Sequence, residues 1–420
     1  MDERERQYRE YLALREQGTR EREQRESRNG SVENSPYGES EFRRHRLEQQ
    51  RREQEMQEYL AARESDRNGK ARVRRKGKKA RRNRKIAGRT AKILAVAAVV
   101  CVAALLFFVV SSLNNVTRID IDQNAIGINA MVDDELSGYR NIAVLGIDAR
   151  DMENAEPSRC DSIIVASINK ETNEIKLFSV FRDTMLDIGG DQGLDKAAHA
   201  YYYGEAEQSL YMLNKNLDMN IHDVVVINWK AVADTVDALG GVEIDVEDSA
   251  LKEMNKYIPD SAKNIGKESS RLEHGGLQTL DGVQAVTYAR IRKDAATGDY
   301  RRNERMKIVV QAMFDKAKTI DVKGLRTISK DICPQIMTNM RTRQMMGLML
   351  KLPFYEMHDS TTGFPYEVGS WTGAAWYGPP KNLAANVSRL HEQFFDQKGY
   401  DPTDDVKRIS EEIILKTGIY

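Results

Sequence analysis

Five arginines lie on either side of an aspartate in a stretch of sixteen residues in the second half of this chain. They are Arg290, Arg292, Arg301, Arg302 and Arg305, and the aspartate is Asp299. Arginine makes planar, bidentate contacts with phosphate oxygens, so a cluster of this size in a folded domain predicts an anionic ligand with several such oxygens. A pyrophosphate fits that description. The charges alone are equally compatible with the solvated face of a helix, and the rest of the chain has to separate the two interpretations.

A single apolar stretch divides the chain. Residues 93–110 carry no charge, and 111–113 extend the run to the length of a bilayer-spanning helix. The run begins far from Met1 and contains no small-residue cleavage site, which favours an anchor over a cleaved signal peptide. Ten lysines and arginines between 72 and 85 precede it. The positive-inside rule therefore predicts a single-pass protein of the cell membrane, with residues 1–92 in the cytoplasm and residues 114–420 outside.

The cytoplasmic arm, residues 1–92, has an unusual composition. Residues 1–67 are rich in Arg, Glu and Gln, contain few aliphatic residues and cannot bury a core, so we expect a largely disordered segment with transient charged helices, for example over 4–17. The basic block that follows contains no aromatic residue to stack on bases, which favours anionic lipid over nucleic acid as its partner. A solvated tail is the simplest interpretation of the arm, and a cytoplasmic protein partner is the alternative.

Residues 139–320 alternate between strand and helix patterns. Short apolar runs predict strands over 141–146, 162–169, 175–180, 224–228 and 242–246. Helices are predicted over 197–217, 230–239, 280–288 and 301–318. The expected fold is α/β, with a central mixed sheet covered by helices on both faces. We expect 93–113 to be the transmembrane helix, 114–138 an extracellular stalk, and 321–420 a C-terminal extension packed on the domain.

Charged residues follow or precede the predicted strands. Asp148 follows the first strand and Asp161 precedes the second, while Arg182 follows the third and Lys196 lies beyond it. Ligands of α/β sheets gather outside strand ends. Two carboxylates there suit a magnesium ion shared with substrate phosphates, although each aspartate also suits a strand-terminal cap.

Several familiar active-site motifs are missing from the sequence. It contains no Walker A loop, no G-x-G-x-x-G turn, no G-x-S-x-G elbow and no H-E-x-x-H helix, so nucleotide hydrolysis, serine esterase and zinc protease activities lose their usual support. Cys160 and Cys333 both lie in the exported part, but their spacing does not establish a disulfide, and no Cys/His cluster indicates zinc.

These residues, in this order and spacing, resemble the LytR-CpsA-Psr family of membrane-anchored wall-polymer transferases over roughly 141–318. The matching segments are GID at 146–148, RCD at 159–161, SVFRD at 179–183, Lys196, GGV at 240–242, LDGVQAVTYARIR at 280–292 and DYRRNERM at 299–306. Cys160, Phe181, Ala198 and Met306 stand where the family usually has serine, proline, asparagine and glutamine. None of these departures removes an arginine or an acidic candidate, so the resemblance still implies an active site. Ala198 and Met306 leave its rate and substrate preference open.

The resemblance implies an enzyme that moves a glycopolymer, teichoic acid for example, from a polyprenyl-pyrophosphate carrier onto a hydroxyl of peptidoglycan through a phosphodiester bond. By this likeness the pyrophosphate would be bound by Arg182, Lys196, Arg290, Arg292 and Arg305, with Arg302 in the catalytic group. Asp148 and Asp161 would hold Mg²⁺, or Mn²⁺ in its place. Asp299 would accept the proton of the attacking hydroxyl or orient an arginine.

Two other functions would use a similar set of residues. A membrane sensor of polyprenyl phosphate that regulates transcription would need the arginines but not the carboxylates. An exported polyprenyl-pyrophosphate pyrophosphatase would use water in place of the sugar hydroxyl. The carrier lipid of the transferase also needs an apolar slot, for which the helices at 197–217 and 230–239 are candidates, although ordinary core packing explains their apolar faces as well.

Overall fold

A computed structural model describes residues 3–26, 43–44, 46–48, 50–70, 72, 113–148, 158–292, 298–358 and 363–420. The chain divides into two units, Met1–Val100 and Cys101–Tyr420. The predicted membrane span at 93–113 lies outside the described residues except for Leu113. Within the described ranges, no helix is long and apolar enough to cross a membrane.

The described part of the first unit is helical, and it includes the charged helix that the sequence predicted over 4–17 in a largely disordered arm. Helix α1 runs from Glu3 to Glu26 and α2 covers 50–70. Arg, Glu and Gln are good helix formers, and their alternating charges allow favourable pairs three and four residues apart. None of the described side chains of α1 and α2 is buried. These two helices therefore form without a hydrophobic core, which a segment with so few aliphatic residues cannot build.

The second unit is built on a mixed sheet of eight strands, as predicted. The spatial order is β1, β10, β7, β2, β3, β4 and β11, with β12 also pairing with β4. The strands are β1 Thr117–Arg118, β2 Tyr139–Ile147, β3 Cys160–Asn169, β4 Glu174–Val180, β7 Ile221–Asn228, β10 Met337–Thr338, β11 Glu356–His358 and β12 Gly363–Phe364. Strand β2 is antiparallel to β3 and parallel to β7, and β3 is antiparallel to β4. The central strands are nearly continuous apolar runs because both of their faces are covered.

Helices cover both faces of this sheet and make the α/β/α sandwich that the sequence predicted. Helices α4 (His199–Leu217), α11 (Leu383–Phe395) and α12 (Asp404–Thr417) pack on the face that carries Val165 and Phe178. Helices α8 (Gly298–Ala317) and α10 (Thr342–Lys351) pack on the opposite face, which carries Ile164 and Leu177. Successive strand residues point to opposite faces, so one strand contributes to both cores.

A smaller set of elements has its own hydrophobic core. It comprises α5 (Trp229–Ala238), β8 (Val242–Val246), α6 (Asp248–Ile265), β9 (Gly276–Leu280), α7 (Gly282–Arg290) and the first half of α8. Helix α7 starts very close to α5, because a Cβ atom on Gly282 would lie 2.1 Å from the carbonyl oxygen of Ala233. Only glycine permits this approach. The two helices are thereby held in contact at the start of α7.

The segment 114–138, expected to be a stalk, is packed on the domain. Strand β1 pairs with β10. Helix α3 (Ala130–Glu135) follows, and the side chains of Ile126, Val132 and Leu136 are buried in the main core. The segment is therefore an edge of the folded unit.

The remaining elements are short. They are β5 (Met185–Asp187) paired with β6 (Leu194–Lys196), α9 (Val322–Thr327), a π-helical turn at Ile328–Ile332, 3-10 turns at Cys333–Gln335 and Leu352–Phe354, and β13 (Trp371–Thr372) paired with β14 (Trp376–Tyr377). The 321–420 segment thus supplies strands and two core helices to the same unit.

Candidate active site at one end of the central sheet

Three predicted site residues lie at the same end of the central sheet. Ile147, the last residue of β2, pairs with Cys160, the first residue of β3. Strand β4 is antiparallel to β3, so its last residues reach that end as well. Asp148, Asp161 and Arg182 are therefore brought to one edge, as expected from the strand order.

Arg182 lies at the centre of a chain of ion pairs. Its Nη1 contacts Oδ1 of Asp161, and its Nε lies 3.7 Å from Oδ2 of Asp183. The other oxygen of Asp183 lies 2.7 Å from Nζ of Lys196. Two cations and two carboxylates alternate, and their side chains are only 15% to 22% exposed. The carboxylates hold both cations in place at a site that solvent still reaches.

The ion-pair chain continues into side chains that the sequence analysis did not select. Nζ of Lys196 lies 5.3 Å from the ring centre of Tyr377, whose hydroxyl donates to Oδ1 of Asp195 over 3.1 Å. Oδ2 of Asp195 lies 2.8 Å from Nδ1 of His199. Burial raises the pKa of Asp195, but hydrogen bonds with His199 and with the backbone N–H of Lys196 outweigh this, so the pKa lies below its usual value. Asp195 is thus an anion that orients its neighbours beside Lys196.

Trp229 connects Arg290 to the same end of the sheet. It follows Asn228, which pairs with Ile147 in the register of β7 and β2. The guanidinium carbon of Arg290 lies 5.2 Å from the Trp229 ring centre, a favourable cation–π contact. The indole N–H of Trp229 is buried and has no acceptor among the described residues. A bound oxyanion can satisfy such a donor.

Arg292 is exposed just beyond the end of α7. Together with Arg290 it lines a cavity of about 330 Å³. Helix α6 contributes Tyr257, Asp260 and Asn264 to the same cavity. Two of the predicted pyrophosphate ligands thus share one opening to solvent.

The arginines on α8 are not on a solvated helix face. Arg302 and Arg305 are 5% and 2% exposed. Nη2 of Arg305 lies 2.9 Å from Oε2 of Glu247, and Nη2 of Arg301 lies 2.9 Å from Oε1 of the same residue. The guanidinium of Arg305 also lies 5.4 Å from the ring centre of Tyr288. Glu247, which the sequence analysis missed, therefore holds two guanidiniums at once.

Asp299 lies in α8, but its side chain belongs to the part of the chain that the structure does not describe. Helix α8 contacts β12, which pairs with the end of β4. The backbone N–H of Phe181 donates to the carbonyl oxygen of Phe364 in β12 over 2.9 Å. The helix that carries the arginines is thus packed beside the strand end that precedes Arg182.

The two cysteines of the second unit that the structure describes are free and buried. Burial raises the pKa of the Cys160 thiol to about 12. The sequence did not establish whether Cys160 and Cys333 form a disulfide, and in the structure they do not.

The candidate walls of a lipid slot are ordinary core. Helix α4 buries Leu210, Leu213 and Leu217 in the core beside the sheet. Helix α5 buries Ala233 and Val236 in the smaller core. Core packing is therefore the interpretation that the described residues support for both apolar faces.

Comparison with known proteins gives a consistent picture. A model of the LytR_cpsA_psr family matches residues 109–392. The polyisoprenyl-teichoic acid–peptidoglycan teichoic acid transferase TagU of Enterococcus faecalis is 31% identical over 204 residues, which is 48% of this chain and 60% of that protein. The TagT protein of Bacillus subtilis, named for the same transfer, is 28% identical over 54% of this chain and 69% of its own length. The chain thus spans about three fifths to two thirds of these relatives.

A solved structure shares the fold. The crystal structure of an Enterococcus faecalis protein described as a transcriptional regulator has a TM-score of 0.51 and 23% identity, and the match covers 68% of this chain and 97% of that one. The family model covers well over half of the 420 residues. The chain therefore belongs to the LytR-CpsA-Psr family.

Proposed function

We propose that this protein transfers a glycopolymer from a polyprenyl-pyrophosphate carrier to a hydroxyl of peptidoglycan and forms a phosphodiester bond. The observation that carries the proposal is the position of Arg182, Lys196 and Arg290 at one end of the central sheet. Their fixed positive charges suit the two linked phosphates of the carrier. The relatives described above are named as teichoic acid transferases. A teichoic-acid-like polymer is therefore the substrate class that we propose first.

The reaction is a phosphoryl transfer. The oxygen of the acceptor hydroxyl bonds to the phosphorus that bears the glycan, and the bond from that phosphorus to the bridging oxygen breaks. The carrier leaves as its monophosphate, and the hydroxyl proton passes to a base. Such reactions ask the protein mainly to position groups and to neutralise charge on the phosphate oxygens.

The ion pairs around Arg182 prepare the site for this task. Asp161 and Asp183 hold the two cations in position before substrate arrives. Phosphate oxygens can then take over part of the contacts that the carboxylates make. Preorganised cations of this kind lower the barrier because little reorganisation is needed as charge shifts in the transition state.

Arg290 and Arg292 would bind the pyrophosphate from the α7 side, with the indole N–H of Trp229 donating to one of its oxygens. Arg302 would act directly on the transferring group. Arg305 is held by Glu247 and would support Arg302 from within α8. Asp299 remains our candidate for the base that accepts the hydroxyl proton.

Asp148 and Asp161 would hold Mg²⁺ or Mn²⁺. Asp148 is exposed at the end of β2, and the Arg182 ion pair engages Oδ1 of Asp161. The carboxylate of Asp161 therefore has a second oxygen that can bind a cation. No group of three acidic, His or Cys side chains that could hold a metal occurs among the described residues. Two protein carboxylates, completed by phosphate and water oxygens, are an ordinary set for Mg²⁺. When bound, the ion would supply further neutralisation of phosphate charge.

The transfer also requires the domain to meet peptidoglycan and the lipid carrier. We propose that the apolar run at 93–113 anchors the protein in the cell membrane, with the arm in the cytoplasm and the second unit outside. The basic block before the run supports this orientation.

An assay of the full chain in detergent tests the proposal. It would contain a labelled polyprenyl-pyrophosphate glycan, peptidoglycan oligomers and magnesium. We expect Arg182→Ala and Arg290→Ala to abolish transfer and Arg271→Ala to retain it, because Arg271 is an exposed arginine whose Nε donates to the carbonyl oxygen of Asn255 in α6. Transfer by Arg182→Ala and Arg290→Ala at the rate of the natural protein would refute the assignment of the site.

A further inference from the structure

We propose that the exposed apolar end of α10 rests on the surface of the membrane that anchors the chain. The contact surface, called here the α10 patch, consists of Met349 and Leu350 of α10 and Phe354 of the 3-10 turn that follows it. This inference rests on the anchoring proposed above. It adds to the apolar run a second contact with lipid, which the folded unit itself makes. The partner is a bilayer surface that carries anionic headgroups.

The α10 patch is unusually apolar for a surface helix. Met349, Leu350 and Phe354 are 38%, 57% and 69% exposed. Arg343, Gly347 and Leu350 follow one another at helical spacing on the exposed side of α10, while Met345 faces the core. A helix face that meets water is normally polar along its length. Adjacent exposed apolar side chains instead mark a surface that meets a partner or a membrane.

The start of α10 is fixed to the first residues after the predicted span. The hydroxyl of Thr342 donates to Oδ1 of Asn114 over 3.0 Å. Nη2 of Arg118 lies 3.0 Å from the Thr342 hydroxyl and 3.3 Å from the carbonyl oxygen of Leu113. Leu113 and Met345 also share one hydrophobic cluster. The helix therefore cannot move away from the point where the chain would leave the bilayer.

The distances allow the contact. The continuous apolar run ends at Val110, and the three further residues up to Leu113 reach at most about 10 Å. Helix α10 has ten residues, so its far end lies about 15 Å from its start. The anchor thus keeps the far end of α10 within about 25 Å of the end of the apolar run.

Basic side chains lie at both ends of α10. Arg341 and Arg343 are exposed at the start of α10, and Lys351 is exposed at its end. Apolar side chains with basic residues beside them are typical of helices that lie in the membrane interface. Each such cation adds attraction to anionic lipid.

The contact would orient the whole unit. Leu348 of α10 packs on the same sheet face as Val310 and Phe314 of α8. The face covered by these two helices would then be turned toward the bilayer. A carrier whose pyrophosphate stays near the headgroups would approach the domain from that side.

Fluorescence quenching by lipid tests the α10 patch directly. The full chain carrying Cys101→Ala and Leu350→Cys is labelled with bimane and reconstituted in phosphatidylcholine–phosphatidylglycerol vesicles with brominated acyl chains. Cys160 and Cys333 are buried and stay unlabelled. The matched control is Leu415→Cys, because Leu415 is an 85% exposed leucine on α12, which packs on the opposite face of the sheet.

We expect brominated lipid to quench the label at 350 several-fold more than the label at 415, and aqueous iodide to show the reverse order. Phe354→Cys repeats the measurement in case the change at 350 disturbs folding. Equal quenching of the 350, 354 and 415 labels by iodide, with none by brominated lipid, would overturn the proposal, as would failure of the protein to float with the vesicles. The measurement uses no substrate, so a protein that is quenched by lipid but does not transfer glycan would refute only the proposed function.

Discussion

Removing the charge of Glu247 is the sharpest perturbation of the arginine cluster. Its two oxygens each accept a hydrogen bond from a different arginine, Arg301 and Arg305, both over 2.9 Å. In Glu247→Gln the side chain keeps its shape but has only one oxygen. One of the two arginines then loses its acceptor and faces an amide N–H.

The size of the effect follows from these contacts. A hydrogen bond to a charged group contributes about 1.5–3 kcal/mol. Water can replace part of it, because the Glu247 side chain is 37% exposed even though Arg305 is 2% exposed. We therefore expect Glu247→Gln to lower the free energy of unfolding by about 2 kcal/mol. For a domain of this size, that corresponds to a fall in Tm of about 4 °C.

Thermal unfolding of the full chain in detergent, followed by near-UV circular dichroism, measures this change. Glu243→Gln is the matched control, because Glu243 is exposed on β8, four residues before Glu247. Its Tm should stay within about 1 °C of that of the natural protein. In an Arg305→Met background, Glu247→Gln should cost clearly less, since one of its two partners is gone. An equal cost in both backgrounds would refute the reasoning.

Gly282→Ala should lower the free energy of unfolding by about 3 kcal/mol, because its Cβ would lie 2.1 Å from a carbonyl oxygen of α5. Gly347→Ala should instead raise it by up to about 1 kcal/mol in the same urea titration, since its Cβ meets no atom within 4 Å. Burial raises the pKa of Asp234, but hydrogen bonds from two lysines and a glutamine outweigh this and hold the pKa below 3.8. Its stabilising contribution is present above about pH 4 and lost as the pH falls further, so Asp234→Asn should flatten the acid side of a profile of unfolding free energy against pH. Cys160, whose thiol pKa burial raises to about 12, should react with a thiol reagent near pH 8 only after unfolding, which a mass spectrum would show.

The central strands were predictable because they are buried on both faces and therefore apolar along their length. Strand β8 lies at 242–246 as predicted, and β3 begins two residues earlier than expected. The strands that pair with the outer sides of β7 and β4, namely β10, β11 and β12, have two or three residues and no periodic pattern. They form because β7 and β4 offer unpaired backbone groups, which is a property of the assembled sheet.

Helix α6 was missed although its sequence contains a signal. Its buried residues follow helical spacing, at Ala250, Met254, Ile258, Ser261 and Ile265. Pro259 and many charged residues lie between them and obscure the pattern. Helix α12 shows the same kind of spacing, at its buried residues Val406, Ile409 and Ile413.

The site was predictable where a residue lies within two positions of a strand end. Arg182 and Asp161 are of this kind, and Trp229 could have been found by the same rule, since it follows β7. Glu247 could not, because its two arginine partners lie more than 50 residues away in sequence. The burial of Arg305 could not be predicted from the sequence either, because charge patterns alone indicate an exposed helix face.

The central claim is that the phosphorus atom that joins the glycan to the carrier becomes bonded to a hydroxyl oxygen of peptidoglycan. The most direct measurement follows a radioactive label at that phosphorus through a reaction of the full chain with donor, peptidoglycan oligomers and magnesium. We predict that label and glycan become covalently attached to peptidoglycan together, that the carrier is released as its monophosphate, and that Arg290→Ala abolishes both. Recovery of the label as soluble glycan phosphate, or as donor bound to the protein without any reaction, would contradict the account.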